Sequence, residues 1–209
     1  MPHPRLHASS APENPAVIVA ETGEILSYGD LERAANKGAH LLRRLGLQSG
    51  DTIALWLPNL PAYFTLYWAA QRAGLYIAPV ATALTAEEAA YILSDSGAKL
   101  LVTHQAVKSA AELLSGHLPP SVAHVYQAGP GLDGIADWNT AIAAEPDTPI
   151  PDEAPGFHMV YSSGTTGRPK GIRQPLAWTR PASTSPRRPS TIPRLSPFPP
   201  PATASAPPW

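Results

Sequence analysis

Residues Val160–Gly171 read VYSSGTTGRPKG, an apolar run that passes into three glycines, four hydroxyl residues and a lysine. Gly164, Gly167 and Gly171 can take backbone conformations closed to other residues, so that successive N–H groups can converge on an anion. Ser162, Ser163, Thr165 and Thr166 add hydroxyls able to donate to phosphate oxygens or to assist a metal. Lys170 and Arg168 supply positive charge, and Pro169 stiffens the stretch between them. The pattern is not a P-loop of the Walker type, because Lys170 follows proline and precedes glycine with no hydroxyl residue after it. A lone Gly-rich turn is more often a polar surface turn than a phosphate site; the density of donors directly after a strand favours the phosphate site here.

Upstream, the chain alternates between two periodicities. AVIVA and ILSY read as short strands joined by ETGE, and Ser27 with Asp30 has the spacing of a helix cap. LERAANKGAHLLRRLG places Leu31, Ala34, Ala35, Leu41, Leu42 and Leu45 largely on one face, with Gly46 as its C-cap. GDTIALWLP is a buried strand, and Asn59 is expected to cap the helix LPAYFTLYWAAQRAG. LYIAPV is the next strand; Thr85 and Glu88 form a capping box opening TAEEAAYILSDSG. AKLLVTH, QAVKSAAELLSG and SVAHVYQ continue as strand, helix and strand. A short helix near DWNTAIAAE follows, and GFHMVYSS closes the series as one strand running into the glycine loop. Such alternation predicts an α/β fold with a mostly parallel sheet and crossover helices, whose ligands bind at the carboxyl ends of the strands.

Composition sets the outer limits. The 209 residues are 44% hydrophobic with net charge −1, so nothing global points to nucleic acid or an anionic membrane. There is no cysteine, which excludes disulfides and thiolate chemistry. MPHPRLHASSAPENP has no apolar core of a signal peptide, and LPAYFTLYWAAQRAGL is broken by Gln71 and Arg72, so a cytoplasmic protein without a transmembrane segment is expected. The averages conceal a division: all 15 glycines and all 16 acidic residues precede Arg173, and 11 of the 26 prolines follow Ile172. The expected organisation is a flexible N-terminus over 1–12, a folded region over 13–172, and a Pro/Ser/Arg-rich disordered tail over 173–209. A displaced reading frame in GC-rich DNA accounts best for so abrupt a change. A functionless spacer and a proline-rich ligand for SH3-type partners remain open.

Taken together, YSSGTTGRPKG and the stretch LSYGDLERAANKGAHLLRRLGLQSGDTIALWLPNLPAYFTLYWAAQRAGLYIAPVATALTAEEAAYILSDSGAKLLVTH resemble the adenylate-forming superfamily, which includes acyl-CoA synthetases, luciferases and nonribosomal-peptide adenylation domains. The likeness covers roughly residues 10–172, and KGIRQPL leans toward fatty-acyl-CoA synthetases. It implies a two-step reaction in which a carboxylate attacks the α-phosphate of ATP and coenzyme A then displaces AMP. It also implies that Ser162, Ser163, Gly164, Thr165, Thr166, Gly167 and Lys170 hold the departing pyrophosphate, with Thr166 near Mg²⁺ and Lys170 as positioning cation. The family's adenine-binding segment, its Tyr-Gly-x-Thr-Glu stretch, the ribose-binding aspartate and the C-terminal lid have no match. The chain is therefore expected to be an inactive N-terminal portion, with a non-catalytic nucleotide-binding or proline-motif module as the alternative. A sheet ending at residue 172 is further expected to expose apolar edges and to associate.

Other tempting residues read as structural. His158 in a buried strand is expected to be a satisfied core histidine, and His3, His7, His40, His104, His117 and His124 show no paired metal spacing. Trp56, Tyr63, Phe64, Tyr67, Trp68 and Tyr76 read as core packing rather than a base-stacking platform. Arg43 and Arg44 sit at a helix end, where the dipole suffices to explain them.

Overall fold

Residues 3–162 and 168–176 are described by the computed structural model, and all of them belong to one unit, Met1–Thr179. The tail from residue 177 onward, and every reading made of it, lies outside the described residues. The elements run α1 (Pro4–Ser10), β1 (Pro15–Ile18), β2 (Ile25–Ser27), α2 (Tyr28–Arg44), β3 (Thr52–Trp56), α3 (Pro61–Arg72), β4 (Tyr76–Pro79) and α4 (Ala86–Ser96). They continue with β5 (Ala98–Thr103), α5 (Ala110–Glu112), β6 (His124–Gln127), β7 (Ala136–Asp137), α6 (Trp138–Ile142), β8 (Phe157–His158), β9 (Val160–Ser162) and β10 (Lys170–Ile172).

Six strands form a sheet in the order β7-β6-β5-β3-β4-β8, and every pairing in it is parallel. The expected α/β architecture is therefore the observed one. All five residues of β3 are buried because it has a neighbour on each side and helices on each face. Ile53 and Leu55 join Leu100 and Val102 against α2, α3 and α6, where Leu41, Leu42, Leu66 and Trp138 are buried. Ala54 and Trp56 point the other way with Leu101, against Ala89, Ile92 and Leu93 of α4. Each fully buried leucine of this kind contributes about 2 kcal/mol of apolar transfer free energy.

Close approach between α2 and α3 depends on Gly38, where a Cβ would lie 2.7 Å from the Ala69 Cβ and 3.2 Å from the Trp138 ring. Charge ties the same helices. Arg72 on α3, its side chain 1% exposed, donates to both oxygens of Glu32 on α2 at 3.0 and 2.9 Å, and to the Asn36 side chain.

Several local details depart from the sequence reading. The N-cap of α3 is Leu60, without a side-chain hydrogen bond, and not Asn59. Pro61 holds the residue before it extended, so the helix starts one residue later than Asn59 could serve. The helix expected over QAVKSAAELLSG shrinks to α5 and a wider π turn, Leu113–His117. The start of that stretch is spent in a tight turn, where the His104 Nδ1 accepts the Ala106 N–H at 3.0 Å. Residues 4–10, read as part of a flexible N-terminus, form α1, capped by the His3 side chain. Arg5 secures it to Glu32 and Glu153.

Candidate functional site

GFHMVYSS is not one strand. Phe157 and His158 complete the edge of the sheet, and Met159 donates its N–H to the Ile77 carbonyl at 2.7 Å. Beyond it the chain leaves the sheet, and β9 pairs with β10 in an antiparallel hairpin of its own. Lys170 lies opposite Ser162, Gly171 opposite Tyr161, and Ile172 opposite Val160.

Opposed residues of an antiparallel pair share a face, so the hairpin has two unlike sides. Tyr161 and Gly171 turn toward α4. The Tyr161 hydroxyl donates to the Asp95 carboxylate at 2.8 Å, and a Cβ on Gly171 would meet the Met159 methyl at 2.4 Å. Burial, the hydrogen bond and the charge of Asp95 together push the Tyr161 hydroxyl far above the usual phenol range. Val160, Ser162, Lys170 and Ile172 are all exposed on the other side.

The charges carried by the segment itself favour an anion. No Asp or Glu occurs between Val160 and Leu176, whereas Arg168, Lys170 and Arg173 do. The Arg168 guanidinium lies 5.2 Å from the centre of the Tyr91 ring, and that of Arg173 3.9 Å from the centre of the Tyr76 ring. None of the three takes part in an ion pair among the described residues, and Lys170 alone of them has no ring contact there.

Of the residues singled out by sequence, Ser162 and Lys170 are thus brought together across the hairpin. Ser163, Gly164, Thr165, Thr166 and Gly167 lie outside the described residues. His158 is exposed, contrary to the buried role expected of it. It sits on the outermost strand and stacks on Phe157 with ring centres 4.3 Å apart. Among the described residues no cluster of His, Asp and Glu could hold a metal ion. Trp56 and Tyr76 are core residues as expected, but Phe64 is 41% exposed. Arg43 and Arg44 do more than face a dipole: Arg43 bonds Asp152 and the carbonyls of Leu47 and Ala73, and Arg44 bonds Glu145.

Two parts of the site went unnoticed in the sequence. Tyr91, Asp95 and Tyr161 anchor the hairpin, yet α4 drew attention only for its cap. The available signal was the pair Tyr91 and Asp95, four residues apart and so on one face of the helix. Arg173–Leu176, assigned to the tail, instead pack onto the body. Tyr76 donates its hydroxyl to the Gln174 carbonyl at 2.6 Å, Arg173 reaches the Gly50 carbonyl at 2.6 Å, and Leu176 is buried.

Comparison with known proteins bears on the family and the fold. A family described as AMP-binding enzyme matches residues 5–174. The crotonobetaine/carnitine–CoA ligase of Salmonella arizonae is 31% identical over 173 residues, which are 77% of this chain and 33% of that protein. The long-chain-fatty-acid–CoA ligase FadD13 of Mycobacterium tuberculosis is 29% identical over 169 residues, covering 80% and 33%. Among solved structures, the anthranilate CoA ligase AuaEII in complex with anthranoyl-AMP superposes with a TM-score of 0.72 at 26% identity, over 81% of this chain and 33% of that one. Among the described residues no helix is long and apolar enough to cross a membrane. The chain belongs to the AMP-binding enzyme family and spans about a third of the length of the acid–CoA ligases it resembles.

Proposed function

We propose that this chain supplies the pyrophosphate-holding hairpin of an acid–CoA ligase and does not complete the reaction by itself. The observation that carries the reading is the placement of Ser162 and Lys170 opposite one another on the exposed face of β9 and β10, joined by SGTTGRP. The Ser162 hydroxyl, which donates to the Lys170 carbonyl at a long 3.5 Å, and the exposed Lys170 ammonium lie on neighbouring strands of a segment without Asp or Glu, which suits a phosphate group. In the full reaction a carboxylate oxygen of the substrate attacks the α-phosphorus of ATP and pyrophosphate departs. The thiol sulfur of coenzyme A then attacks the acyl carbon, and AMP leaves as the thioester forms. The hairpin's task is to hold the β- and γ-phosphates, so that negative charge gathering on the leaving pyrophosphate meets fixed donors.

Ser162, Ser163, Gly164, Thr165, Thr166, Gly167 and Lys170 are the residues proposed to do so, with Thr166 toward Mg²⁺. The ion, when bound, would neutralise phosphate charge. The fatty acids of FadD13 suggest the acid class. The span of about a third of the length of the acid–CoA ligases it resembles supports the reading that these residues do not complete the reaction by themselves.

The test is a titration of the full chain with MgATP, beside pyrophosphate exchange in the presence of fatty acids. Weak binding that Lys170→Ala lowers about tenfold, without exchange, is the expected result. Exchange abolished by the same substitution would overturn the inactivity, and binding indifferent to Lys170 would overturn the site.

A further inference from the structure

The descending limb of the loop is held by one side chain at two points. The Tyr91 hydroxyl donates to the Pro169 carbonyl at 3.0 Å, while the Tyr91 ring lies beneath the guanidinium of Arg168. Proline has no N–H, so its carbonyl is the only backbone hydrogen-bonding group Pro169 offers. We propose that Tyr91 is a positioning residue for Lys170: it fixes the limb that delivers the lysine to the exposed face. The role in phosphate binding rests on the reading of the hairpin given above.

Three further observations bear on it. Lys170 follows Pro169 directly, so the anchored carbonyl and the Lys170 N and Cα lie in one planar peptide unit, with no free torsion between them. Beneath the limb lies an open cleft of about 730 Å³ lined by Glu87, Glu88, Tyr91, Ile92, Arg168 and Pro169, so continuous packing does not substitute for the clamp. One turn of α4 further on, Asp95 takes the Tyr161 hydroxyl of the ascending strand. A single helix face therefore anchors both limbs, and α4 is itself capped at its start by Thr85 and Glu88.

Limited trypsin digestion of the full chain tests the clamp without reference to any ligand. Trypsin cannot cut between Arg168 and Pro169, but the bond after Lys170 becomes available whenever the hairpin opens. Tyr91→Leu removes both hydroxyl and ring and is expected to speed cleavage after Lys170 about tenfold. Tyr91→Phe keeps the ring and is expected to speed it about threefold. Cleavage after Lys99, in the central sheet, should keep its wild-type rate in both. MgATP affinity should fall by similar factors, and Tyr91→Leu should add nothing once Lys170→Ala is present. Unchanged cleavage after Lys170, or equal acceleration after Lys99, would overturn the proposal. So would a loss of MgATP affinity from Tyr91→Leu that persists in the Lys170→Ala background. If the wild-type chain binds no MgATP while the cleavage pattern appears as described, the clamp stands and the phosphate-site reading falls.

Discussion

β3 and the β9/β10 hairpin are both short, extended and assembled from ordinary strand residues, yet they are held in opposite ways. β3 has parallel neighbours on both sides and side chains buried on both faces, and Leu55 and Trp56 are 0% exposed. Among the described residues each strand of the hairpin has one partner, and one of its two faces is open, with Val160 42% and Ile172 52% exposed. Between its two ends, which Met159 and Arg173–Leu176 tie to the body, the hairpin is fixed by a small set of directional contacts to α4, from Tyr91 and Asp95. The sheet is stabilised by area, which no single contact decides. The hairpin is placed by geometry, which one hydrogen bond can decide. The phosphate-binding role proposed for the hairpin would benefit from the second arrangement, because its donors must remain exposed and yet be held in place.

The contrast is broken most directly at its strong end. Leu55→Ala empties a fully buried position in the central strand and is expected to cost about 3 kcal/mol in urea denaturation. A loss below about 1 kcal/mol would show that the sheet is not where the stability resides. Next comes the buried charge. Glu32→Ala leaves the guanidinium of Arg72 buried with fewer partners, at a cost of about 2–3 kcal/mol. Burial works against the charged form of Glu32, but hydrogen bonds from Arg72 and its charge, with help from Arg5, outweigh this and hold the carboxyl below its usual value of 4.5. A depressed folded pKa gives stability that is fully present above pH 4.5 and is lost as pH falls through the folded value. Denaturation midpoints should therefore drop below about pH 4.5 in the wild type and drop less in Glu32→Ala; parallel curves would refute the assignment.

The same contrast explains what could be read in advance. β3, β4 and β5 are short, mostly apolar runs, and the caps at Ser27 and Thr85 are local signals; all of these were legible. Ser162 and Lys170 were legible as residue types, because glycine, hydroxyl and lysine in one run carry chemistry before they carry shape. Their mutual placement was not. It depends on β9 leaving the sheet after Met159 to pair with residues eight to twelve positions on, and no periodicity within GFHMVYSS marks that break. Nor could the anchors be read, since Tyr91 meets Pro169 across 78 positions of sequence. α1 escaped notice for a similar reason: Arg5 finds its partners at Glu32 and Glu153.

A smaller effect is expected at the start of α4, the helix that carries the hairpin's anchors. The Thr85 hydroxyl accepts the Glu88 N–H at 3.3 Å, and Glu88 returns a carboxylate to the Thr85 N–H at 2.9 Å, at the start of the helix that carries both anchors. Thr85→Ala is expected to cost about 1 kcal/mol in urea denaturation. Because Tyr91 and Asp95 lie beyond the first turn, cleavage after Lys170 should rise less than with Tyr91→Leu; a larger rise would mean that the helix end, and not the tyrosine, governs the hairpin.

Lys170→Ala is expected to have the smallest effect of all on the fold. Its side chain is exposed, no ion pair of the described residues includes it, and the β10 backbone pairing with Ser162 needs no side chain. Exposed substitutions of this kind stay within about 0.5 kcal/mol. The urea midpoint should therefore match the wild type while MgATP affinity falls about tenfold. Such a separation would show that a residue can matter fully to a site and hardly at all to the fold that presents it. A loss of 2 kcal/mol or more on removing Lys170 would mean that the hairpin belongs to the core energetically, and that its exposure does not mark a surface kept free for a ligand.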